Sequence, residues 1–269
     1  MDKRRLLLVA QEMDPYLNET TIGEVVKKIA PYAYDNGMDV RILMPRFGLI
    51  NERRNRLHEV VRLSGMNIII DDDDFPLIIK VASLPNSRIQ VYFMDNDDFF
   101  KRKYLFHDEE GKFFDDNHER MVFFCKSIFE TVRKFGWAPD IIHCNGWMTS
   151  LIPLYAKTTY AKDPVFANSK VVYSLYKDAI EDLMPDTFVR KAQLSADITD
   201  EQLSPYKTLN TKGFNKGAAI LADALIVGDG DTEDLQEILE AAGTKPILQE
   251  VNIDDVSQSY FEYYKSIVE

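Results

Sequence analysis

The sequence predicts an α/β fold in which a mostly parallel sheet is flanked by helices. Two observations support this prediction. Residues 5–10 form an apolar strand pattern, and a segment of helical periodicity follows before a second apolar strand pattern. After a different central stretch, the alternation of strand and helix resumes and continues to residue 268. Helices between strands favour parallel pairing, because each helix returns the chain to the edge where the next strand starts.

The first strand, helix and strand are expected to form a right-handed βαβ unit. Apolar residues recur at helical spacing after Thr20 and Thr21, and either threonine can cap the helix. Asn36 and Gly37 are suited to ending it. The three predicted elements are residues 5–10, 22–35 and 40–44.

The centre of the chain carries strand patterns without intervening helices. Residues 60–70, 77–81 and 89–93 are strand-like, which predicts an inserted antiparallel or mixed β segment around residues 58–95. Four consecutive aspartates, 71–74, lie between two of these strands and are expected to form a solvated turn.

Alternation of helices and strands resumes after an irregular stretch at 95–116. With no repeat and no long linker, we expect one Rossmann-like domain over residues 1–269. The remaining predicted elements are helix 117–135, a strand at 139–142, helix 149–157, strand 170–175, short helices and loops over 179–211, helix 217–222, strand 224–227, helix 232–242, strand 246–248 and helix 256–268.

The composition of the chain limits the classes of molecule that it can bind and the cellular environment that suits it. The net charge of −12 argues against nucleic acid or an anionic membrane as the main partner. No apolar run reaches the length of a transmembrane helix, and we expect no targeting segment. Cys125 and Cys144 lie in apolar contexts without CxxC spacing, so we expect reduced, buried thiols in a cytoplasmic protein.

Motifs of several enzyme classes are missing from the sequence. It has no P-loop and no G-x-S-x-G nucleophile elbow. The spacing of the four histidines does not suggest a zinc site, and no motif predicts a metal or a cofactor. The histidines are His58, His107, His118 and His143.

The stretch HCNGWMTS, residues 143–150, is a candidate ligand loop. It follows a predicted buried strand, and open α/β sheets bind ligands at the carboxyl ends of their strands. His143 is expected at that strand end. Trp147 can stack on a sugar or a base, or it can belong to the core.

Three other loops have both a binding and a structural interpretation. Residues 18–23 span the start of the first predicted helix, where backbone N–H groups can bind a phosphate. Gly23 is the single glycine among them, so this is not a glycine-rich loop. Asp116 can act as a helix N-cap. The loop at 228–231 can bind a ligand or can be a turn followed by a cap.

Taken in order, several segments resemble the N-terminal domain of bacterial glycogen synthase and plant starch synthase. The resemblance runs from residue 5 to about residue 240. It implies the N-terminal Rossmann-like half of a GT-B glycosyltransferase, a family that transfers glucose from ADP-glucose to an α-1,4-glucan. The matching segments are EMDP at 12–15, IGEV at 22–25, Pro31, MPRFG at 44–48, YFMDN at 92–96, Asp116 with Asn117 and Arg120, PDIIH at 139–143, Trp147 and ADALIVG at 222–228.

Several positions depart from the family pattern. The donor-loop lysine of the family falls on Asn18, and its two glycines fall on Thr20 and Thr21. In the family motif His-Asp-Trp-His, the first histidine becomes Asn145 while Trp147 is retained. Two further departures are Tyr176 and Lys177, which stand where the family has His-Asn. Asp116 matches an aspartate that the family places near the reacting sugar.

The second Rossmann domain of the family is not found in the 269 residues. We therefore expect a non-catalytic homologue that serves as a binding or regulatory module. The alternatives are a glycosyltransferase that is active only with a separate partner domain, and a small-ligand-binding protein. Under each of these hypotheses, the residues expected to line a ligand pocket are Asn18, Thr20, Thr21, Gly23, Asp116, His143, Asn145, Trp147, Tyr176 and Lys177.

The resemblance also suggests partners. A nucleotide sugar or a glucan is the expected small ligand. A protein partner or a second copy is expected on the face that meets the second domain in the family. Asp116 is the only family-like candidate for a catalytic residue. We do not assign a catalytic role to it or to any other residue.

Overall fold

The backbone forms a ten-stranded mixed sheet, observed in a computed structural model that describes residues 3–177, 180, 182–229 and 233–268. The strand order is β10-β9-β8-β7-β1-β2-β6-β5-β3, and β4 pairs with β5. The strands are β1 (Arg5–Ala10), β2 (Asp39–Pro45), β3 (His58–Glu59), β4 (Met66–Ile70), β5 (Asp73–Ser83), β6 (Gln90–Asp95), β7 (Ile141–Asn145), β8 (Lys170–Leu175), β9 (Ala224–Val227) and β10 (Ile247–Leu248).

Helices connect most of these strands. The α-helices are α1 (Thr21–Asp35), α2 (Asp97–Phe100), α3 (Asn117–Phe135), α4 (Leu151–Lys157), α5 (Phe188–Ala192), α6 (Asp200–Leu203), α7 (Thr211–Leu221), α8 (Glu233–Ala242) and α9 (Val256–Val268). Two 3₁₀ helices cover Trp147–Thr149 and Ser204–Thr208.

The parallel part of the sheet extends from β10 to β6. Each neighbouring pair between these strands is parallel, including β2 with β6. The antiparallel insertion is therefore limited to β3, β4 and β5. Strand β6, which the sequence also places in the inserted segment, makes the sheet mixed because it pairs parallel to β2 and antiparallel to β5.

Helices cover both faces of the sheet. Successive side chains of a strand point to opposite faces, and β7 shows which helices lie on each. His143 contacts Tyr264 of α9, whereas Cys144 lies close to Cys125 of α3. Helix α1 packs against α9, so these two helices share one face. Helices α3, α4 and α7 pack in succession, which places them together on the other face.

Caps explain the ends of the best-defined helices. Thr20 caps α1 by accepting a hydrogen bond from the Ile22 N–H, as the sequence predicts. Gly136 ends α3 in the left-handed conformation that glycine tolerates. Helix α7 begins at Thr211, six residues earlier than predicted, since Asn210 caps it by accepting from the Gly213 N–H.

Some predictions concern residues whose structure is not described. Ala179 begins the predicted segment of short helices and loops, and Thr232 begins the predicted last-but-one helix. Both lie outside the described residues, as do Gly230 and Asp231 of the predicted 228–231 loop. Over the part of the chain that the structure describes, no helix has the length and apolar character needed to cross a membrane.

Candidate functional site

An internal carboxylate occupies the N-terminus of α1. Glu12 accepts hydrogen bonds from the backbone N–H groups of Glu19 at 3.0 Å, Thr20 at 2.8 Å and Gly23 at 3.3 Å. It also accepts a hydrogen bond from the Thr20 hydroxyl. These are the donors that an external phosphate would use at a helix N-terminus. The chain itself therefore supplies the anion at this position.

Asn18 and Gly23 lie against each other beside this carboxylate. A Cβ atom at Gly23 would stand 2.5 Å from the Asn18 Oδ1 and 3.1 Å from the Leu17 carbonyl oxygen. A side chain at this position would therefore displace the Asn18 side chain and crowd the Leu17 carbonyl group. Asn18 is exposed, so the residue at the family's lysine position faces solvent at the rim of the loop.

Asp229 joins the start of α1 to the end of β8. Its carboxylate accepts from the Thr21 hydroxyl at 2.7 Å and from the Lys177 backbone N–H at 2.6 Å. Thr21 and Lys177, both expected pocket residues, are brought together by this single side chain. The contact holds two loops at the carboxyl edge of the sheet.

A cleft of about 340 Å³ opens beside Thr21. Glu24, Asp229 and Glu250 give it three carboxylates, while the Lys28 ammonium stands at its edge, 3.5 Å from a Glu24 oxygen and 3.2 Å from the Ile253 carbonyl oxygen. The cleft is therefore an electronegative space between the starts of α1 and α9. The lining residues are Thr21, Glu24, Val25, Gly228, Asp229, Glu250, Val251, Asn252, Ile253 and Val256.

His143 lies inside β7 and not at the strand's carboxyl end, where the sequence placed it. Strand β7 continues to Asn145, because Cys144 and Asn145 still pair with β1 and β8. His143 is fully buried. Its Nδ1 lies 2.7 Å from the Tyr264 hydroxyl and its Nε2 lies 2.7 Å from the Ser174 hydroxyl. Burial lowers the pKa of His143 to about 3, which keeps the imidazole neutral.

Asn145 and Tyr176 continue the same buried polar network. The Tyr176 hydroxyl donates to the Asn145 Oδ1 at 3.0 Å, and the Asn145 amide donates to the His143 carbonyl at 3.3 Å. The Tyr176 ring packs on Gly228, where a Cβ atom would stand 2.5 Å from a ring carbon. These side chains are thus engaged with one another.

Trp147 is 2% exposed and belongs to the core. Its ring centroid lies 4.8 Å from that of Phe106 and 6.4 Å from that of Phe214. Gly146 precedes it with a φ of 91°, and a Cβ atom there would stand 2.4 Å from the Gln11 side chain. Of the two interpretations left open by the sequence, the structure shows the core one.

Asp116 stands at the N-cap position of α3, but its side chain makes no cap hydrogen bond. Both of its oxygens accept from Arg102, whose guanidinium also lies 4.6 Å from the centroid of the Phe114 ring. The hydrogen bonds with Asp116 raise the pKa of Arg102. The expected capping role is thus replaced by a bidentate ion pair, because Arg102 lies close enough to take both oxygens.

The ten expected pocket residues separate into three groups. One surrounds the start of α1 and contains Asn18, Thr20, Thr21, Gly23 and Lys177. A second, buried group contains His143, Asn145, Trp147 and Tyr176, while Asp116 stands apart with Arg102. No grouping of three or more His, Cys, Asp or Glu side chains suited to a metal ion is found among the described residues.

Sequence reasoning missed several residues that shape this region. Glu12 lies in the acidic-x-x-Pro motif, and that motif was the available signal for it. Tyr260 and Tyr264 are spaced one helical turn apart, which signals a buried face but not its contact with His143. Arg102 and Asp229 carried no sequence signal for their partners, since both contacts join distant segments or irregular loops.

Comparison with known proteins gives the family. A sequence model described as "Starch synthase catalytic domain" matches residues 5–250. The chain belongs to the starch synthase catalytic-domain family. Glycogen synthase of Chlorobium chlorochromatii (strain CaD3) is 40% identical over 173 residues, which are 64% of this chain and 35% of that protein. Glycogen synthase of Chlorobaculum tepidum is 37% identical over 188 residues, which are 70% of this chain and 38% of that protein.

The fold is that of a starch synthase catalytic domain. The catalytic domain of starch synthase IV from Arabidopsis thaliana, solved with ADP and acarbose bound, superposes with a TM-score of 0.75 at 17% identity. The match covers 93% of this chain and 52% of that one. The chain thus spans a little over a third of the curated glycogen synthases it matches and about half of the solved catalytic domain.

Proposed function

We propose that residues 1–269 form a single starch-synthase-like domain that works as a binding or regulatory module and does not transfer glucose on its own. The observation that supports this most directly is the charge of the cleft beside Thr21. Glu24, Asp229 and Glu250 line it, and Lys28 at its edge balances one of these three negative charges. A nucleotide sugar brings a diphosphate, which such a lining repels.

The start of α1 supports the same proposal. Asn18 replaces the lysine that the family resemblance leads one to expect, so no ammonium is available from this position. Glu12 already accepts from the backbone donors of Glu19, Thr20 and Gly23. A transferase must neutralise the leaving diphosphate, and these residues supply no positive charge for that step.

A neutral glucan fits this electrostatic environment better than a nucleotide sugar. Its hydroxyl groups can donate hydrogen bonds to carboxylates such as Glu24 and Glu250 without a charge penalty. Among the ligands that the family suggests, we therefore propose a glucan as the small-molecule partner.

Calorimetric titration of the purified protein with ADP-glucose and, in parallel, with a maltooligosaccharide tests the proposal. We expect no measurable ADP-glucose binding at millimolar concentration and measurable binding of the oligosaccharide. Micromolar binding of ADP-glucose would contradict the proposal. If neither ligand binds, the glucan is excluded as the ligand and the hypothesis of a regulatory module remains without it.

A second candidate is a transferase completed by a separate partner domain. Three exposed apolar side chains favour a partner surface: Leu49, Tyr104 and Leu183. They lie on segments that follow the carboxyl ends of β2, β6 and β8, the edge of the sheet that the second domain faces in the family. Detectable glucose transfer after addition of a candidate partner chain, with none from either chain alone, would favour this candidate.

A further inference from the structure

Arg120 is a fully buried arginine on α3. Its Nη1 donates to the Leu105 carbonyl oxygen and to the Asn117 Oδ1, each at 2.6 Å. These two bonds fix one end of the guanidinium. The chain around it consists of the first turns of α3 and the irregular segment 101–116.

The other edge of the guanidinium has no acceptor. Among the described residues, no atom accepts a hydrogen bond from the Arg120 Nε or Nη2, although both nitrogens are buried. The Nε and Nη2 donors lie side by side in one plane. This is the edge with which arginine binds both oxygens of a carboxylate or of a phosphate group.

Aromatic rings surround the guanidinium. They attract the cation through their faces but supply no strong hydrogen-bond acceptor. Burial lowers the pKa of Arg120 to about 9. The rings, with their centroid distances from the guanidinium carbon, are Phe100 at 5.3 Å, Phe47 at 5.5 Å, Phe114 at 5.7 Å and Phe106 at 6.0 Å.

Asp116 is the natural ion-pair partner of Arg120, since it lies four residues earlier along the helix start. Both of its oxygens are instead bound to Arg102. The group of Arg102, Asp116 and Arg120 thus contains two guanidinium cations and one carboxylate. The Asp98 carboxylate also acts on Arg102, whereas no described carboxylate accepts a hydrogen bond from Arg120.

We propose that the Nε and Nη2 edge of Arg120 is a binding site for a small oxyanion, either a carboxylate or a phosphate group. The ligand would give Arg120 a negatively charged partner and satisfy its two buried donors. Leu105, Phe106 and Phe114, which are half-buried, separate the site from solvent. Because neither nitrogen is open to a water-sized molecule, the ligand would reach them only after these side chains move. The site shares no residue with the acidic cleft, so it does not depend on the proposed function.

Thermal unfolding with added anions tests the site. Inorganic phosphate and sodium acetate are titrated separately, with sodium chloride at equal ionic strength as the reference. We expect a saturable rise in Tm with at least one oxyanion, of about 5 °C or more at a hundredfold excess over Kd. A rise with phosphate alone or acetate alone would identify which oxyanion the site takes.

Arg120→Met removes the guanidinium while keeping a long apolar side chain. The matched variant Arg88→Met removes an exposed arginine from the turn between β5 and β6. We expect the oxyanion-dependent rise in Tm to disappear in Arg120→Met and to persist in Arg88→Met. An equal rise in Arg120→Met would overturn the proposal.

A second measurement uses the unaltered protein and is independent of whether Arg120→Met folds. The ¹⁵N–¹H resonance of the Arg120 Nε can be assigned through its proximity to the ring protons of Phe100. We expect it to shift saturably with the same oxyanion that raises Tm. An unchanged resonance at 100 mM phosphate and 100 mM acetate, as expected when water alone meets these donors, would also overturn the proposal.

Discussion

His143 illustrates how one residue's surroundings decide its chemistry. Both ring nitrogens are bound to hydroxyl groups of the same chain, those of Tyr264 and Ser174. A buried neutral imidazole with both nitrogens satisfied has no free position for a ligand or a substrate proton. The residue that a sequence search would select as a catalytic base therefore contributes to stability.

The buried imidazole makes stability depend on pH. The unfolded chain binds a proton on His143 near its ordinary pKa of 6.5, whereas the folded site does so only near 3. Unfolding therefore takes up a proton between these values, and stability falls as pH falls. We expect the unaltered protein to lose about 1.4 kcal/mol more per pH unit than His143→Gln below pH 6.

Urea unfolding at pH 7, 6, 5 and 4 measures this difference. His118, whose pKa burial also lowers, is present in both proteins and cancels in the comparison. His58→Gln, at an exposed position of β3, serves as the control and should follow the unaltered protein. Parallel curves for the unaltered protein and His143→Gln would show that the imidazole is not buried in this way.

Gly146 is the second residue whose environment permits little change. Its φ of 91° strains any side chain, and a Cβ atom would meet the Gln11 side chain at 2.4 Å. Gly37 has a similar φ of 98° but no atom within 4 Å of an added Cβ. Gly37→Ala should cost about 1 kcal/mol, and Gly146→Ala about 1–3 kcal/mol more.

The two glycine variants share a positive φ, but Gly146 also has a ψ of 155°, a combination that essentially only glycine adopts. The difference between their unfolding free energies, measured together in urea, therefore contains this strain and the contact with Gln11. Equal losses in Gly37→Ala and Gly146→Ala would contradict the close approach of Gln11 to the loop after β7.

Helix α9 is the element that closes the His143 region. Tyr260 and Tyr264 lie one turn apart, are both buried, and present their rings to His143 at centroid distances of 5.9 and 5.6 Å. Replacing Tyr264 by phenylalanine keeps the ring and removes the hydroxyl. Because the His143 Nδ1 then stays buried without a partner, we expect a loss of about 1–3 kcal/mol.

Tyr104→Phe is the control for this prediction, since Tyr104 is exposed on the irregular segment. It should change stability by less than about 0.5 kcal/mol. Hydrogen exchange adds a local readout, and we expect faster exchange of α9 amides in Tyr264→Phe. If Tyr264→Phe changes neither the free energy of unfolding nor the hydrogen exchange of α9, the hydrogen bond between Tyr264 and His143 does not stabilise the protein.

At the same scale, sequence periodicity predicts some elements better than others. The bounds of β1, β8, β9, α3 and α9 agree with the sequence prediction, because apolar periodicity or a cap marks both ends of each. The sequence prediction ends β7 too early because His143 and Asn145 are polar. Their burial follows from partners 121 and 31 residues away. Contacts of that range, such as Thr21 with Asp229, carry no local signal.

The whole molecule combines a family fold with an acidic cleft at its carboxyl edge. The resemblance in sequence predicts the fold because strand ends and loop motifs are retained in order along the chain. It does not predict which side chains lie at the carboxyl edge of the sheet, because Glu12, Asp229 and the tyrosines of α9 reach this edge from separate segments. The arrangement of side chains at this edge therefore depends on tertiary contacts more than on the motifs.

The cleft charge gives a prediction at this scale. Glu24→Gln with Glu250→Gln removes two carboxylates from the cleft lining. Because less repulsion opposes a diphosphate, we expect ADP affinity to rise by about tenfold or more at low ionic strength and less at 0.5 M salt. Calorimetric titration with ADP at both salt concentrations measures the change.

The matched control removes the same charge elsewhere. Glu59→Gln with Glu110→Gln neutralises two exposed carboxylates on β3 and on the irregular segment. If both double variants gain ADP affinity equally, the net charge of the molecule and not the cleft is responsible, and the local argument for a repelled donor fails.

The hydrogen bond between His143 and Tyr264 also sets an order of events during protein synthesis. These residues are separated by 121 positions, and translation proceeds at about 5–20 residues per second, so roughly 6–24 s pass between them. During that interval β7 can join β1 while only α1 covers the face that α9 will share. The nascent chain therefore holds a polar imidazole on the part of this face where α9 has not yet packed. Chaperone contact with this face is most useful in that interval, before the final helix arrives.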